Sequence, residues 1–195
     1  MDLVCASANS HKYSEMVQIL SGVVNLIPRP SEIPDVVEDA DTLEGNARLK
    51  ATAVRSATGC AAVADDTGLE VDALGGAPGI FSARYAGEDA TDEDNVSKLL
   101  KEMSEVTGEG RSARFRTIAL IAWEDGAETI AEGVVEGIIA ATPSGVGGFG
   151  YDSVFIPTYG GGKTFAEMDD KEKNAISHRG AAFRALKELL QWHIG

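Results

Sequence analysis

Four short segments of this 195-residue chain hold side chains that could do chemistry. The first is Ala64-Asp65-Asp66-Thr67-Gly68-Leu69-Glu70, which follows the apolar run Cys60–Ala64. Two adjacent carboxylates at the end of a buried strand repel each other. A protein keeps such a pair where a cation, a base or strong hydrogen bonds compensate, although Asp-Asp before Gly is also ordinary turn chemistry. Residues 28–42 hold three of the six prolines and five acidic residues and read as a loop. Glu38 in that loop could supply a further oxygen ligand, with Asp35, Asp39 and Asp41 as close competitors. Hard oxygen ligands and a phosphate substrate together point to Mg²⁺.

The second segment is Ser7-Ala8-Asn9-Ser10-His11-Lys12. It lies between an apolar run, Leu3–Ala6, and the helical spacing of Tyr13, Met16, Val17 and Leu20. The start of a helix presents unpaired N–H groups and partial positive charge, which suit phosphate, and Asn9, Ser10 and Lys12 add donors. The Walker A pattern is absent, and taken alone the segment is a weak signal that reads more readily as a solvated helix start. The third is Gly147-Gly148-Phe149-Gly150-Tyr151-Asp152. Glycines admit a ligand close to the backbone, and Phe149 and Tyr151 offer faces on which a base could stack; the alternative is a flexible loop with one aromatic in the core. The fourth, Lys171 to Gly180, is a basic cluster ending in Ser177-His178-Arg179. If Ser177 caps the last helix, cations in its first turn oppose the helix dipole and call for a nearby anion or acceptor.

The elements that must position these groups follow from periodicity. Strands are expected at Leu3–Ala6, Val23–Ile27, Cys60–Ala64, Leu69–Leu74, Phe115–Trp123 and Ala127–Ala140, the last two joined by a hairpin turn at Asp125-Gly126. Gly133 and Gly137 predict bulges or bends in its second arm. Helices are expected from Ser10, from Asn46 to about Thr58 with Gly59 as stop, and after the capping-box pattern Thr91-Asp92-Glu93-Asp94. The last helix should run from Ser177 to Trp192, with Ala182, Leu186, Leu189, Leu190 and His193 on one face. The order predicts an α/β protein with an elongated mixed sheet, flanking helices and two lobes around a central cleft. The length suits one domain, 1–195.

Composition bounds the partners. The net charge of −14 argues against general nucleic-acid binding and would repel a free triphosphate, so a polyanionic substrate needs a local basic cluster and a metal ion. No apolar run approaches the ~20 residues that span a bilayer. Met1 to Asn9 lacks a basic leader, which predicts a cytoplasmic protein. Cys5 and Cys60 each fall at or near an expected buried strand and read as small core hydrophobes.

In combination the segments resemble the inosine triphosphate pyrophosphatase family, the XTP/dITP diphosphatases. The matching stretches are SANSHKYSEM, TLEGNARLKA, AVADDTGLEVDALGGAPGIFSARYAGEDAT, GGFGYDSVFIP and AEMDDKEKNAISHRGAAF, in family order from residue 7 to residue 183. The resemblance implies hydrolysis between the α and β phosphates of non-standard purine nucleotides (ITP, dITP, XTP) by a Mg²⁺-dependent homodimer. It implies that Ser7 to Lys12 form the substrate loop, including Ala8 and His11. Asp66 would be metal ligand and proton acceptor, and Glu38 a second metal ligand. Thr67, Phe149, Gly150, Tyr151, Asp152, Lys173, His178 and Arg179 match the remaining substrate contacts. To these we add Lys50, placed on the helix that should face the cleft, and Arg84, which could reach a phosphate.

Selectivity should rest on a donor such as Arg179, which donates to the C6 oxo group of hypoxanthine and mismatches the amino group of adenine. Departures from the family pattern are few: Gly45 where an acidic residue is common, Ser153 where Pro is common, and Thr67 for Ser. Two rivals stand beside this reading. One is the septum-inhibitor-like pyrophosphatases, against which GFGYD and SHR argue. The other is a nucleotide-binding regulator without turnover, which has no need of Asp66.

Overall fold

The computed structural model describes residues 1–194, with side chains through residue 191. Its strands and helices follow as β1 (Asp2–Cys5), α1 (Ser10–Leu20), β2 (Asn25–Ile27), α2 (Leu43–Thr58), β3 (Ala62–Val71), β4 (Pro78–Gly79), α3 (Asp92–Glu102), β5 (Ser112–Ala122), β6 (Glu128–Ile139), β7 (Phe155–Pro157), α4 (Asp170–Ile176) and α5 (His178–Ile194). The strand order is β2-β1-β3-β5-β6-β7, with β4 on β3. β1 pairs in parallel with β2 and β3, whereas β4 and β7 pair antiparallel with β3 and β6. The result is the expected mixed α/β sheet with flanking helices. No helix among the described residues is long and apolar enough to cross a membrane.

The chain forms two compact units, and β3, β5 and β6 contribute residues to both. The first unit comprises Met1–Asp66, Thr117–Gly133 and Arg179–Gly195. Its strands are apolar at consecutive positions because both sheet faces are covered. Leu3, Cys5, Val63 and Ile121 pack with Met16 and Leu20 of α1 and with Ala182, Phe183, Leu186 and Leu190 of α5. The alternate residues Val4, Ala62, Ala64 and Leu120 pack with Ala47, Ala51 and Val54 of α2. Two expectations change here. Cys60 is exposed, because the strand starts only at Ala62. Leu189 is exposed, off the buried stripe of α5. His193, assigned to that stripe, lies outside the described side chains.

The second unit comprises Thr67–Arg116 and Val134–His178. Its core joins Leu69 and Val71, Val96 and Leu99 of α3, Met103 just after that helix, and Phe115, Phe155 and Phe165. The capping box of α3 is present in full, with Thr91 and Asp94 exchanging side-chain-to-backbone bonds. Gly137 sits in register with Pro157 of β7, and a Cβ there would lie 2.4 Å from the Ile156 carbonyl oxygen. Leu69–Leu74 is not a separate strand, since β3 runs unbroken to Val71 before a 3-10 turn over Asp72–Leu74.

Candidate active site

β3 sets the chemistry of the first unit. Asp65 and Asp66 lie inside the strand rather than at its end. Successive strand residues point to opposite faces, so the adjacent carboxylates reach different partners and their mutual crowding is relieved. Asp65 accepts from Nε and Nη2 of Arg179 at 3.1 and 3.0 Å, and Lys12 Nζ lies 3.3 Å away. Arg179 also donates from Nη1 to Glu15 at 2.6 Å. Asp66 accepts from Lys50 Nζ at 3.0 Å and from Asn46 Nδ2 at 3.2 Å. Lys50 Nζ is in addition 3.1 Å from Glu38.

Asn46 has a second task. Its Oδ1 accepts from the Ala40 backbone N–H at 3.0 Å, which ties the acidic loop to the side chain that also meets Asp66. The competitors of Glu38 lie elsewhere: Asp35 pairs with Arg29 at 2.9 Å, and Asp39 and Asp41 are exposed. Of these four acids, Glu38 is the one in contact with Lys50.

Charge governs proton affinities in this cluster. Burial alone would raise the Asp65 pKa, but Lys12, Arg179 and Lys50 hold it well below the usual carboxylate range. Burial lowers the Lys12 pKa, with Lys50 and Arg179 adding to the effect and Asp65 opposing it. Burial pulls on Lys50 in the same way, yet Asp66, Asp65 and Glu38 outweigh it and its pKa is raised.

The lysines assigned to the substrate are ion-paired: Lys12 with Asp65 and Lys50 with Asp66 and Glu38 in the first unit, and Lys173 with Asp152 in the second. A buried ammonium without a counter-ion is costly, so the chain supplies carboxylates. Glu15, Glu38, Asp65 and Asp66 together outnumber Lys12, Lys50 and Arg179 by one charge.

The substrate-loop candidates adopt the expected turn into α1, with a different use of its donors. Asn9 Oδ1 accepts from the N–H groups of His11 and Lys12 at 2.9 and 3.1 Å, and Asn9 N–H donates to Ser7 Oγ at 3.2 Å. The first-turn donors assigned to phosphate are thus capped by Asn9. Ser7, Ala8, Asn9 and Ser10 border a groove of about 560 Å³ whose other wall includes Pro28, Arg29 and Asp35.

In the second unit, Asp152 organises the glycine-rich loop. Its Oδ2 accepts from Lys173 Nζ at 2.7 Å and from the Phe149 N–H at 2.9 Å. Gly148 is required for this: its φ is +72°, and a Cβ would lie 2.1 Å from that oxygen. Lys173 Nζ stands 4.7 Å from the centre of the half-buried Phe149 ring. Tyr151 does not share the stacking role expected for it; it is 4 % exposed and donates its hydroxyl to the Ser82 carbonyl. The Gly150 N–H donates to Asp92 at 2.6 Å.

His178 is buried and stacks on Phe115, with centroids 4.4 Å apart. Ser177 ends α4, its N–H on the Lys173 carbonyl. Thr67 is half-buried on β3, and Arg84 lies over Phe81 and near Glu88. Sequence reasoning missed Glu15, Asn46, Asp92 and α4. The last had a visible signal, the capping box of Asp169 and Glu172.

A sequence model of the Ham1 family matches residues 3–189. The chain is 45% identical to a dITP/XTP pyrophosphatase of Streptomyces coelicolor, over 99% of this chain and 98% of that protein. It is 49% identical to a dITP/XTP pyrophosphatase of Porphyromonas gingivalis, over 96% of each. A solved Ham1 protein from Coxiella burnetii superposes with a TM-score of 0.88 at 41% identity, covering 98% of this chain and 99% of the other.

Proposed function

The chain belongs to the Ham1 family, and from that membership we propose that it hydrolyses non-standard purine nucleoside triphosphates, ITP, dITP and XTP, to the monophosphate and pyrophosphate. It is a nucleoside triphosphate pyrophosphatase. The observation that carries the reading within the site is Lys50, which draws Asp66 and Glu38 to one ammonium group at 3.0 and 3.1 Å.

Those two carboxylates fit a magnesium ion. Mg²⁺ is commonly held by one or two carboxylates together with substrate phosphates, and both donors here are hard oxygens brought to a common neighbour. A dication also supplies the positive charge that the cluster lacks by itself. When bound, Mg²⁺ neutralises phosphate charge and polarises the phosphoryl group.

The chain's own groups do the rest. Water adds to phosphorus at the α–β bridge, the bridging bond breaks, and pyrophosphate leaves with the electron pair. Asp66 orients the water and takes its proton. Lys12 and Lys50 bind phosphate oxygens in exchange for their carboxylate partners, and Phe149 provides a face for the base. His178 and Arg179 belong to the base subsite by resemblance.

Asp66→Asn tests the assignment. Lys50 keeps Glu38 as counter-ion, so the variant should fold, while kcat for ITP should fall at least ~100-fold, the usual cost of losing a general base. Near-normal turnover in the folded variant removes Asp66 from the chemistry.

A further inference from the structure

Asp92 is the first residue of α3, yet that helix does not use it as a cap. Thr91 and Asp94 already satisfy each other's backbone groups at this end. The Asp92 carboxylate instead reaches 58 positions along the chain to the Gly150 N–H, at 2.6 Å. Gly150 adopts φ +60°, so its N–H direction is set by a conformation few other residues take.

The residues around Gly150 are tethered one by one. Gly147 N–H donates to the Ala166 carbonyl at 3.0 Å, and Ala166 N–H to the Asp152 carbonyl at 3.1 Å. Phe149 N–H is held by Asp152, and the Tyr151 hydroxyl by Ser82. The Asp92 tether comes from an exposed side chain outside the segment and lies directly beside Phe149. A hydrogen bond to an ionised acceptor is stronger than a neutral one and directional, so it fixes the peptide that follows Phe149.

We propose that Asp92 is a positioning residue for the base subsite: by pinning the Gly150 N–H from the start of α3, it holds the Phe149 ring in the orientation that receives the purine. The inference rests on the reading of Phe149 as the base platform. Binding energy that depends on a held ring is present in ground state and transition state alike, so its loss appears in KM rather than in kcat.

The test compares Asp92→Ala, Asp92→Asn and Phe149→Ala with the wild type. It measures steady-state ITP hydrolysis, inhibition by tripolyphosphate, which has no base, and thermal melting. Asp92→Ala should raise KM for ITP about tenfold with kcat nearly unchanged, the scale of one lost charge-assisted hydrogen bond. Its inhibition constant for tripolyphosphate should stay at the wild-type value. Asp92→Asn retains an acceptor for the Gly150 N–H and should bring KM back to within about threefold of wild type. A purely structural role would move both constants together and follow the melting temperature; that outcome overturns the proposal, as does an Asn variant impaired as much as Ala. If Phe149→Ala leaves KM for ITP unchanged, the platform reading fails first. If Phe149→Ala raises KM and Asp92→Ala does not, the platform stands and the role of Asp92 falls.

Discussion

Arg179 sits on the first turn of α5 with its guanidinium against two carboxylates, Asp65 and Glu15. Cations oppose the dipole at a helix start, and these acids are the compensation that the sequence called for. Arg179→Ala removes a cation that holds a buried carboxylate, which costs about 3–5 kcal/mol. Urea denaturation should show that loss, and Arg179→Lys should recover more than half of it by keeping the charge. An Ala variant as stable as wild type would mean that Asp65 does not depend on Arg179.

The Lys variant then asks whether Arg179 also meets the base. It loses the planar fork, so the ITP/ATP ratio of kcat/KM should shrink by about tenfold. An unchanged ratio confines Arg179 to the carboxylates. At this scale the sequence singled out Asp66, Lys12, Lys50 and Arg179, and the structure brings their charged groups into one cluster. The sequence was silent on pairing: the Arg179–Asp65 contact spans 114 positions and leaves no periodic trace.

Elements were readable where a local rule decides them. The cap of α3, the stop at Gly59 in left-handed conformation and the hairpin at Asp125-Gly126 all follow from short-range chemistry. β3 was harder, because Asp65, Asp66 and Gly68 look like a turn while tertiary ion pairs keep them extended. Gly45 shows a similar override in α2. It is the third residue of the helix, where an acidic side chain would complete a capping box with Thr42. A Cβ at 45 would instead stand 2.6 Å from the Ala40 Cβ, in the segment that Asn46 fastens beside Asp66.

Replacing a helical glycine by alanine usually stabilises by about 0.5–1 kcal/mol. Gly45→Ala should here lower the melting temperature, and Ala40→Gly combined with it should restore the lost stability. The two changes should couple by more than about 0.5 kcal/mol, as contacting residues do. Additive effects of the single changes would contradict the close approach.

Over the whole molecule, the net charge of −14 and the ion-paired lysines frame the central claim. Composition foretold that a triphosphate would need local help. It could not foretell that the helping lysines carry carboxylates of their own, because burial creates that demand only once the chain is folded. The proposed reaction therefore has three requirements, a dication, Asp66 as proton acceptor and cleavage at the α–β bridge. They meet in one experiment: purified protein is incubated with ITP and Mg²⁺, and inosine monophosphate, inosine diphosphate, pyrophosphate and orthophosphate are quantified separately, with and without a chelator. The expected result is monophosphate and pyrophosphate in equal amounts, no orthophosphate until an inorganic pyrophosphatase is added, and no product in the chelator. Inosine diphosphate and orthophosphate as the first products, or undiminished turnover in the chelator, would contradict it.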